Sequence, residues 1–229
     1  MKRIGVLISG GGTNLQALID KQGSVIKSGK IVCVLSNSAN AYGLVRAKNS
    51  GIPTKVIRKN ADCGGDINEL NRRICEYMKE MQVDVIVLAG YLSILGGELL
   101  DTYADRIINI HPSLIPSFCG DGYYGLKVHE EALKYGVKVT GATAHLVNEI
   151  TDGGKILLQK AQHKKRACAE HAAEHQPVLK FRNKRRNFRL LSFRAQKVKG
   201  GYKAAAAICR GFRSAAKAKV LLVLNEAFL

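Results

Sequence analysis

Short apolar runs and longer segments of helical spacing take turns along the first two thirds of this 229-residue chain. Residues 2–9 (KRIGVLIS) form a β-rich run suited to a strand buried on both faces. After the Gly10-Gly11-Gly12-Thr13 loop, the spacing of Leu15, Leu18 and Ile19 predicts a helix. Strands are expected at 31–36, 53–57, 83–88, 106–110, 138–146 and 155–159, and helices at 43–48, 66–81, 95–103 and 126–135. The clearest helical face is Leu70, Ile74 and Met78, at i, i+4 and i+8. Strands alternating with helices at this spacing predict an α/β fold, a mostly parallel sheet with helices on both faces. From residue 161 on, no two- or 3.6-residue period holds until 204–224.

Composition changes this picture at one place. The chain carries a net charge of +18, which by itself points to nucleic acid. Residues 1–159, however, hold 18 Lys and Arg against 15 Asp and Glu, a net of +3. Residues 160–229 hold 18 against three, a net of +15. The basicity belongs to an irregular basic C-terminal tail, and the α/β unit is ordinary in charge. Within the tail, Phe181, Phe188, Phe193 and Tyr202 lie between basic clusters and offer stacking faces for bases; a solvated segment without regular order is the competing account. Length allows one sizeable domain plus an appendage. The six cysteines form no Cys-x-x-Cys pair, and the first apolar run stops at Ser9-Gly10, too soon for a secretory signal. No run reaches the ~18 apolar residues of a membrane span. The expectation is a cytoplasmic protein with reduced thiols that does not act at a membrane.

Candidate chemistry gathers at the carboxyl edge expected of the sheet, where open parallel sheets bind ligands. Asn109 lies near the end of the strand at 106–110 and His111 where that strand runs into a loop, so their side chains, two apart, share a face. Pro112 and Pro116 stiffen the loop after that strand. Strand, glycine loop and helix start at 2–19 make an anion site, with free N–H groups and the helix dipole pointing at a phosphate. The loop matches neither the dinucleotide fingerprint nor a P-loop. Asp152 adds a carboxylate. An amide able to donate to an oxyanion, an imidazole that titrates near neutrality and a carboxylate suit acyl transfer to an amine, with no side-chain nucleophile. Each residue also has a purely structural account. Asn109 can end a strand, His111 can pack beside proline, the glycine turn can bind nothing, and Asp152-Gly153 is an ordinary turn pair.

Four segments together resemble the phosphoribosylglycinamide formyltransferases of purine biosynthesis. They are Ile8-Ser9-Gly10-Gly11-Gly12-Thr13-Asn14-Leu15-Gln16, Ala89-Gly90-Tyr91-Leu92-Ser93-Ile94-Leu95, Asn109-Ile110-His111-Pro112-Ser113-Leu114-Ile115-Pro116, and His145-Leu146-Val147 through Asp152-Gly153-Gly154. The resemblance covers about residues 1–160. It implies a Rossmann-like formyltransferase fold and a transferase of one-carbon metabolism, which moves a formyl group from 10-formyltetrahydrofolate to the amine of glycinamide ribonucleotide. By the same resemblance Asn109 would hold the formyl oxygen, His111 would act as general acid/base, and Asp152 would pair with His111. Gly12, Thr13 and Asn14 would hold the ribonucleotide phosphate. Leu92, Ser93, Ile94 and Leu95, with Asn109, Asn148, Glu149, Ile150, Thr151 and Asp152, would surround the folate. The folate is a co-substrate and no metal is implied; the partners are small molecules, and the enzyme is a monomer or homodimer.

The resemblance divides the chain into a formyltransferase domain at 1–160, lacking the last part of the usual domain, and a basic tail at 161–229. Family members continue into a further strand and a long C-terminal helix that also contacts the ribonucleotide. The tail reads instead as the product of a reading-frame shift, or of a fusion. Two other functions compete. A formyltetrahydrofolate deformylase would pass the formyl group to water, but it carries an extra N-terminal domain and lacks this glycine loop. A nucleic-acid-binding protein would act through the basic tail.

Overall fold

The structure, a computed structural model, describes residues 1–163. The basic tail expected from residue 161 lies outside the described residues from 164 on. Among the described residues, seven strands form one sheet, in the order β3-β2-β1-β4-β5-β6-β7. They are β1 (Lys2–Ile8), β2 (Gly29–Ser36), β3 (Thr54–Val56), β4 (Val85–Leu88), β5 (Ile107–His111), β6 (Val139–Leu146) and β7 (Ile156–His163). The first five pair in parallel, and β6 and β7 add two antiparallel strands on one side. The helices are α1 (Thr13–Lys21), α2 (Tyr42–Asn49), α3 (Lys59–Cys63), α4 (Ile67–Glu80), α5 (Glu98–Thr102) and α6 (Leu126–Tyr135).

Strand β1 shows why the sheet has two cores. Its alternate residues Ile4, Val6 and Ile8 join one apolar cluster with Leu15 and Leu18 of α1 and Leu44 and Ala47 of α2. Leu7 joins a second, with Leu70, Ile74 and Met78 of α4 and Leu99 of α5. Helix α4 can lie close over β1 because Gly5 has no Cβ; one there would stand 2.7 Å from the Met78 sulfur. Asp66 caps α4 by accepting from the Asn68 N–H at 2.8 Å.

Three elements differ most from the sequence-based expectation. Helix α5 is shorter than the expected 95–103, because Gly96 and Gly97 precede it and Gly97 has φ 51°, ψ −138°. Helix α3 arises in a stretch with no periodic apolar face. Strand β7 continues past Gln159 to His163, pairing there with Val139 and crossing the composition boundary at 160. Among the described residues, Cys33, Cys63, Cys75 and Cys119 carry free thiols, and no helix is long and apolar enough to cross a membrane.

The parallel strands β1, β4 and β5 end at the same edge, and the ends of β1 and β4 are stitched together there. Ser9 N–H donates to the Gly90 carbonyl at 3.1 Å, and Leu92 N–H donates to Ser9 Oγ at 2.8 Å. Asn37, after β2, donates its amide N–H to Ser93 Oγ at 2.8 Å.

The fully buried Ile74 tests the assignment of the α4 face. Ile74→Ala is expected to lower unfolding stability by about 2–5 kcal/mol in urea titration. A loss below about 1 kcal/mol would mean that this face does not carry the second core.

Candidate active site

Asp152 is the convergence point of the sheet edge. Its backbone sits in the left-handed region, φ 55°, inside the tight turn that Asp-Gly suggests, and Gly153 N–H donates to the Ile150 carbonyl at 2.9 Å. The turn folds the carboxylate inward, leaving its side chain 8% exposed. The turn account of Asp152-Gly153 therefore holds, and the same turn brings the carboxylate to the residues of β5. Oδ2 accepts from the Gly120 amide at 2.9 Å and lies 3.3 Å from His111 Nδ1. Oδ1 lies 3.4 Å from Asn109 Nδ2 and 3.5 Å from His145 Nε2.

Asn109 and His111 reach the same carboxylate because residues two apart on β5 face one way. His111 is the last residue of the strand rather than part of the following loop, and it is buried. Its Nε2 lies 2.8 Å from the Phe118 carbonyl. A carbonyl only accepts, so Nε2 carries a proton and donates, leaving Nδ1 turned to Asp152. The loop after β5 thus holds both groups: Phe118 C=O takes the imidazole N–H, and Gly120 N–H supplies the carboxylate. Ser113 braces that loop by donating from Oγ to the Ser117 carbonyl.

His145 joins this cluster, with nothing in its neighbouring residues to signal the role. In the antiparallel register of β5 with β6 it stands opposite Asn109. It is 1% exposed; Nδ1 lies 2.8 Å from the Leu146 carbonyl, to which it must donate. In the neutral ring Nε2 is then an acceptor, and Asn109 Nδ2–H donates to it at 3.1 Å. This bond fixes which way the Asn109 amide faces. His129 lies on α6, outside this set of contacts.

Burial and the surrounding polar groups together set the protonation of the pair. It drives the His111 imidazole below its ordinary 6.5, outweighing the Phe118 carbonyl and the Asp152 charge, which push upward. Burial would raise Asp152, but the His145 ring beside it, the hydrogen bond from the Gly120 amide and the nearby His111 imidazole bring it below the ordinary carboxylate value.

The other expected residues line the same edge. Gly12, φ 65°, precedes α1, whose start has neither a side-chain cap nor an acid in its first turn; Thr13 and Asn14 form that turn. Leu92 and Ile94 are 59% and 72% exposed beside Ser93, whereas Leu95 turns into the second core. Ile150 is 68% exposed between the exposed Glu149 and Thr151, and Asn148 Oδ1 accepts from the Ile150 N–H at 3.1 Å. These apolar side chains stand out from the two loops that flank the Asp152 cluster. Among the described residues, no group of three or more His, Cys, Asp and Glu has an arrangement to hold a metal ion.

Comparison with known proteins gives one family. A family model described as "Formyl transferase" matches residues 2–197. The chain is 48% identical over 160 residues to a phosphoribosylglycinamide formyltransferase of Haemophilus influenzae, covering 69% of this chain and 72% of that one. It is 43% identical over 164 residues to the human trifunctional purine biosynthetic protein adenosine-3, spanning 72% of this chain but only 16% of that longer protein. Among solved structures, glycinamide ribonucleotide transformylase 1 from Symbiobacterium toebii superposes with a TM-score of 0.66 at 40% identity, covering 71% of this chain and 74% of that one.

The direction of the His111 shift fixes the sign of a pH effect. The unfolded chain takes up this proton first, so stability is lost as pH falls below 6.5 toward the lower folded value. Urea midpoints taken at about pH 7.5 and about pH 5.5 should drop in the wild type and drop less in His111→Gln. An equal drop in both would assign the acid sensitivity to other groups.

Proposed function

The chain belongs to the formyl transferase family, and from that premise we propose that it transfers a formyl group from 10-formyltetrahydrofolate to the primary amine of glycinamide ribonucleotide, a step of purine biosynthesis. The observation that carries this reading is one buried carboxylate shared by an amide and an imidazole at a sheet edge. That edge is flanked by an uncapped glycine-loop helix start on one side and by exposed apolar loops on the other. An anionic sugar phosphate suits the first and a flat apolar pterin suits the second.

In this mechanism the amine nitrogen attacks the formyl carbon, and the carbonyl electrons move onto oxygen. The weak 3.4 Å contact from Asn109 to Asp152 gives up its N–H to that oxygen, while the bond to His145 keeps the amide oriented. The proton lost by the attacking nitrogen passes through the His111–Asp152 pair to the leaving folate nitrogen as its bond to carbon breaks. A depressed imidazole pKa keeps His111 able to accept a proton near neutral pH. Gly12, Thr13 and Asn14 hold the phosphate. Leu92, Ser93 and Ile94, with Glu149, Ile150 and Thr151, border the pterin. Leu95 contributes through its backbone, since its side chain is buried. We place the transferase unit in residues 1–160 and its action in the cytoplasm.

The test is a formyl-transfer assay with purified protein, glycinamide ribonucleotide and 10-formyltetrahydrofolate. Equal amounts of tetrahydrofolate and formylated amine support the reading; folate release without formylated amine means hydrolysis and overturns it. His111→Ala and Asp152→Asn are each expected to lower kcat by roughly 10²–10³-fold, with KM values nearly kept. Near wild-type turnover in both variants would sink the assigned roles.

A further inference from the structure

Arg46 lies on α2, outside the Asp152 cluster, yet its side chain reaches the glycine loop. Its Nε donates to the Gly11 carbonyl at 2.9 Å, and Nη1 donates to Gln16 Oε1 at 3.0 Å. Its guanidinium lies over the Tyr42 ring, 5.0 Å from the centroid. The aliphatic stem passes beneath Gly12, where an added Cβ would stand 3.4 Å from Arg46 Cδ. Gln16 passes the interaction on by donating to Asp20 Oδ1 at 2.8 Å. Among the described residues no carboxylate forms an ion pair with Arg46 itself, so its charge stands beside the loop without a direct counterion.

A trans peptide sends its C=O and N–H in opposite directions. Holding the Gly11 carbonyl toward Arg46 therefore turns the following N–H, that of Gly12, away from Arg46 and toward the open side of the loop. Glycine on both sides leaves this peptide free to rotate unless something holds it. A planar guanidinium suits the task, because two fixed donors engage two acceptors at once, one in the glycine loop and one on α1. A lysine at the same place would bring charge without that fork.

We propose that Arg46 is a positioning residue for the ribonucleotide. It sets the Gly11–Gly12 peptide so that its N–H faces the phosphate, and it adds an uncompensated positive charge to that end of the site. This rests on the reading of residues 10–14 as the phosphate seat. Arg46 touches neither reacting atoms nor the folate loops, so its effect is confined to one of the two substrates.

Steady-state kinetics with Arg46→Met and Arg46→Lys, and with inorganic phosphate as a competitor, test it. In Arg46→Met, KM for glycinamide ribonucleotide should rise about tenfold or more, and the inhibition constant of inorganic phosphate should rise in parallel. The kcat at saturation and KM for the formyl folate should stay within about twofold. Arg46→Lys should recover less than half of the loss, because the fork is missing. Full recovery by lysine, an equal rise in both KM values, or no rise in either would overturn the proposal. If inorganic phosphate fails to compete with the ribonucleotide in the wild type, the phosphate seat itself is misassigned. If it competes equally well in wild type and Arg46→Met, the seat stands and only the role of Arg46 falls.

Discussion

A carboxylate buried beside two imidazoles must be given donors or be neutralised, and the segments around Asp152 are arranged by that requirement. The Gly120 amide comes from the loop after β5 and Asn109 from β5 itself, and His145 of β6 holds the Asn109 amide in place. Each supplier would be displaced by an error elsewhere. A one-residue slip between β5 and β6 would turn His145 to the other face of the sheet. Loss of the turn at 150–153 would swing the carboxylate into water. Accurate packing of β5 and β6 is thus a condition for this cluster as well as for the fold.

The sheet meets this condition by changing direction. Its parallel half delivers the ends of β1, β4 and β5 to one edge, which explains how a glycine loop near residue 12 and a strand end near residue 110 come to lie along the same edge. Its antiparallel half sends β6 back along β5, setting His145 opposite Asn109 and leading into the turn that carries Asp152. A further parallel strand there would have left by the other edge, and the carboxylate would have needed a long return loop.

Much of this is legible in the order of the residues. Leu70, Ile74 and Met78 repeat at a period that only a helix satisfies, and all three are fully buried. Asn109 and His111 share a face by the period of two, and both meet Asp152. The helix start at Thr13 and the strand of residues 2–8 are equally plain. Residues whose role depends on pairing between distant strands are not. His145 sits in a short-side-chain strand, VTGATAHL, where nothing local distinguishes a packed histidine from one aimed at Asn109. Leu95 resembles its exposed neighbours Leu92 and Ile94, yet a buried position beside Tyr91 and Leu99 claims it. The extension of β7 to His163 is hidden because its charge resembles the tail, while a partner on β6 decides its conformation.

The start of α1 carries a consequence for how this site can vary. Gly12 adopts φ 65°, and a Cβ there would collide with the Cα of Gly43, where α2 begins. A Cβ on Gly43 would in turn collide with Ile8 Cδ1 and crowd Gly12 Cα. Position 12 is thus closed to other side chains by conformation and by space independently, and no single compensating change reopens it. Evolution of this end of the pocket is channelled outward: charge and shape can be retuned on surrounding side chains such as Arg46 and Gln16, while the two touching glycines stay as a fixed pivot.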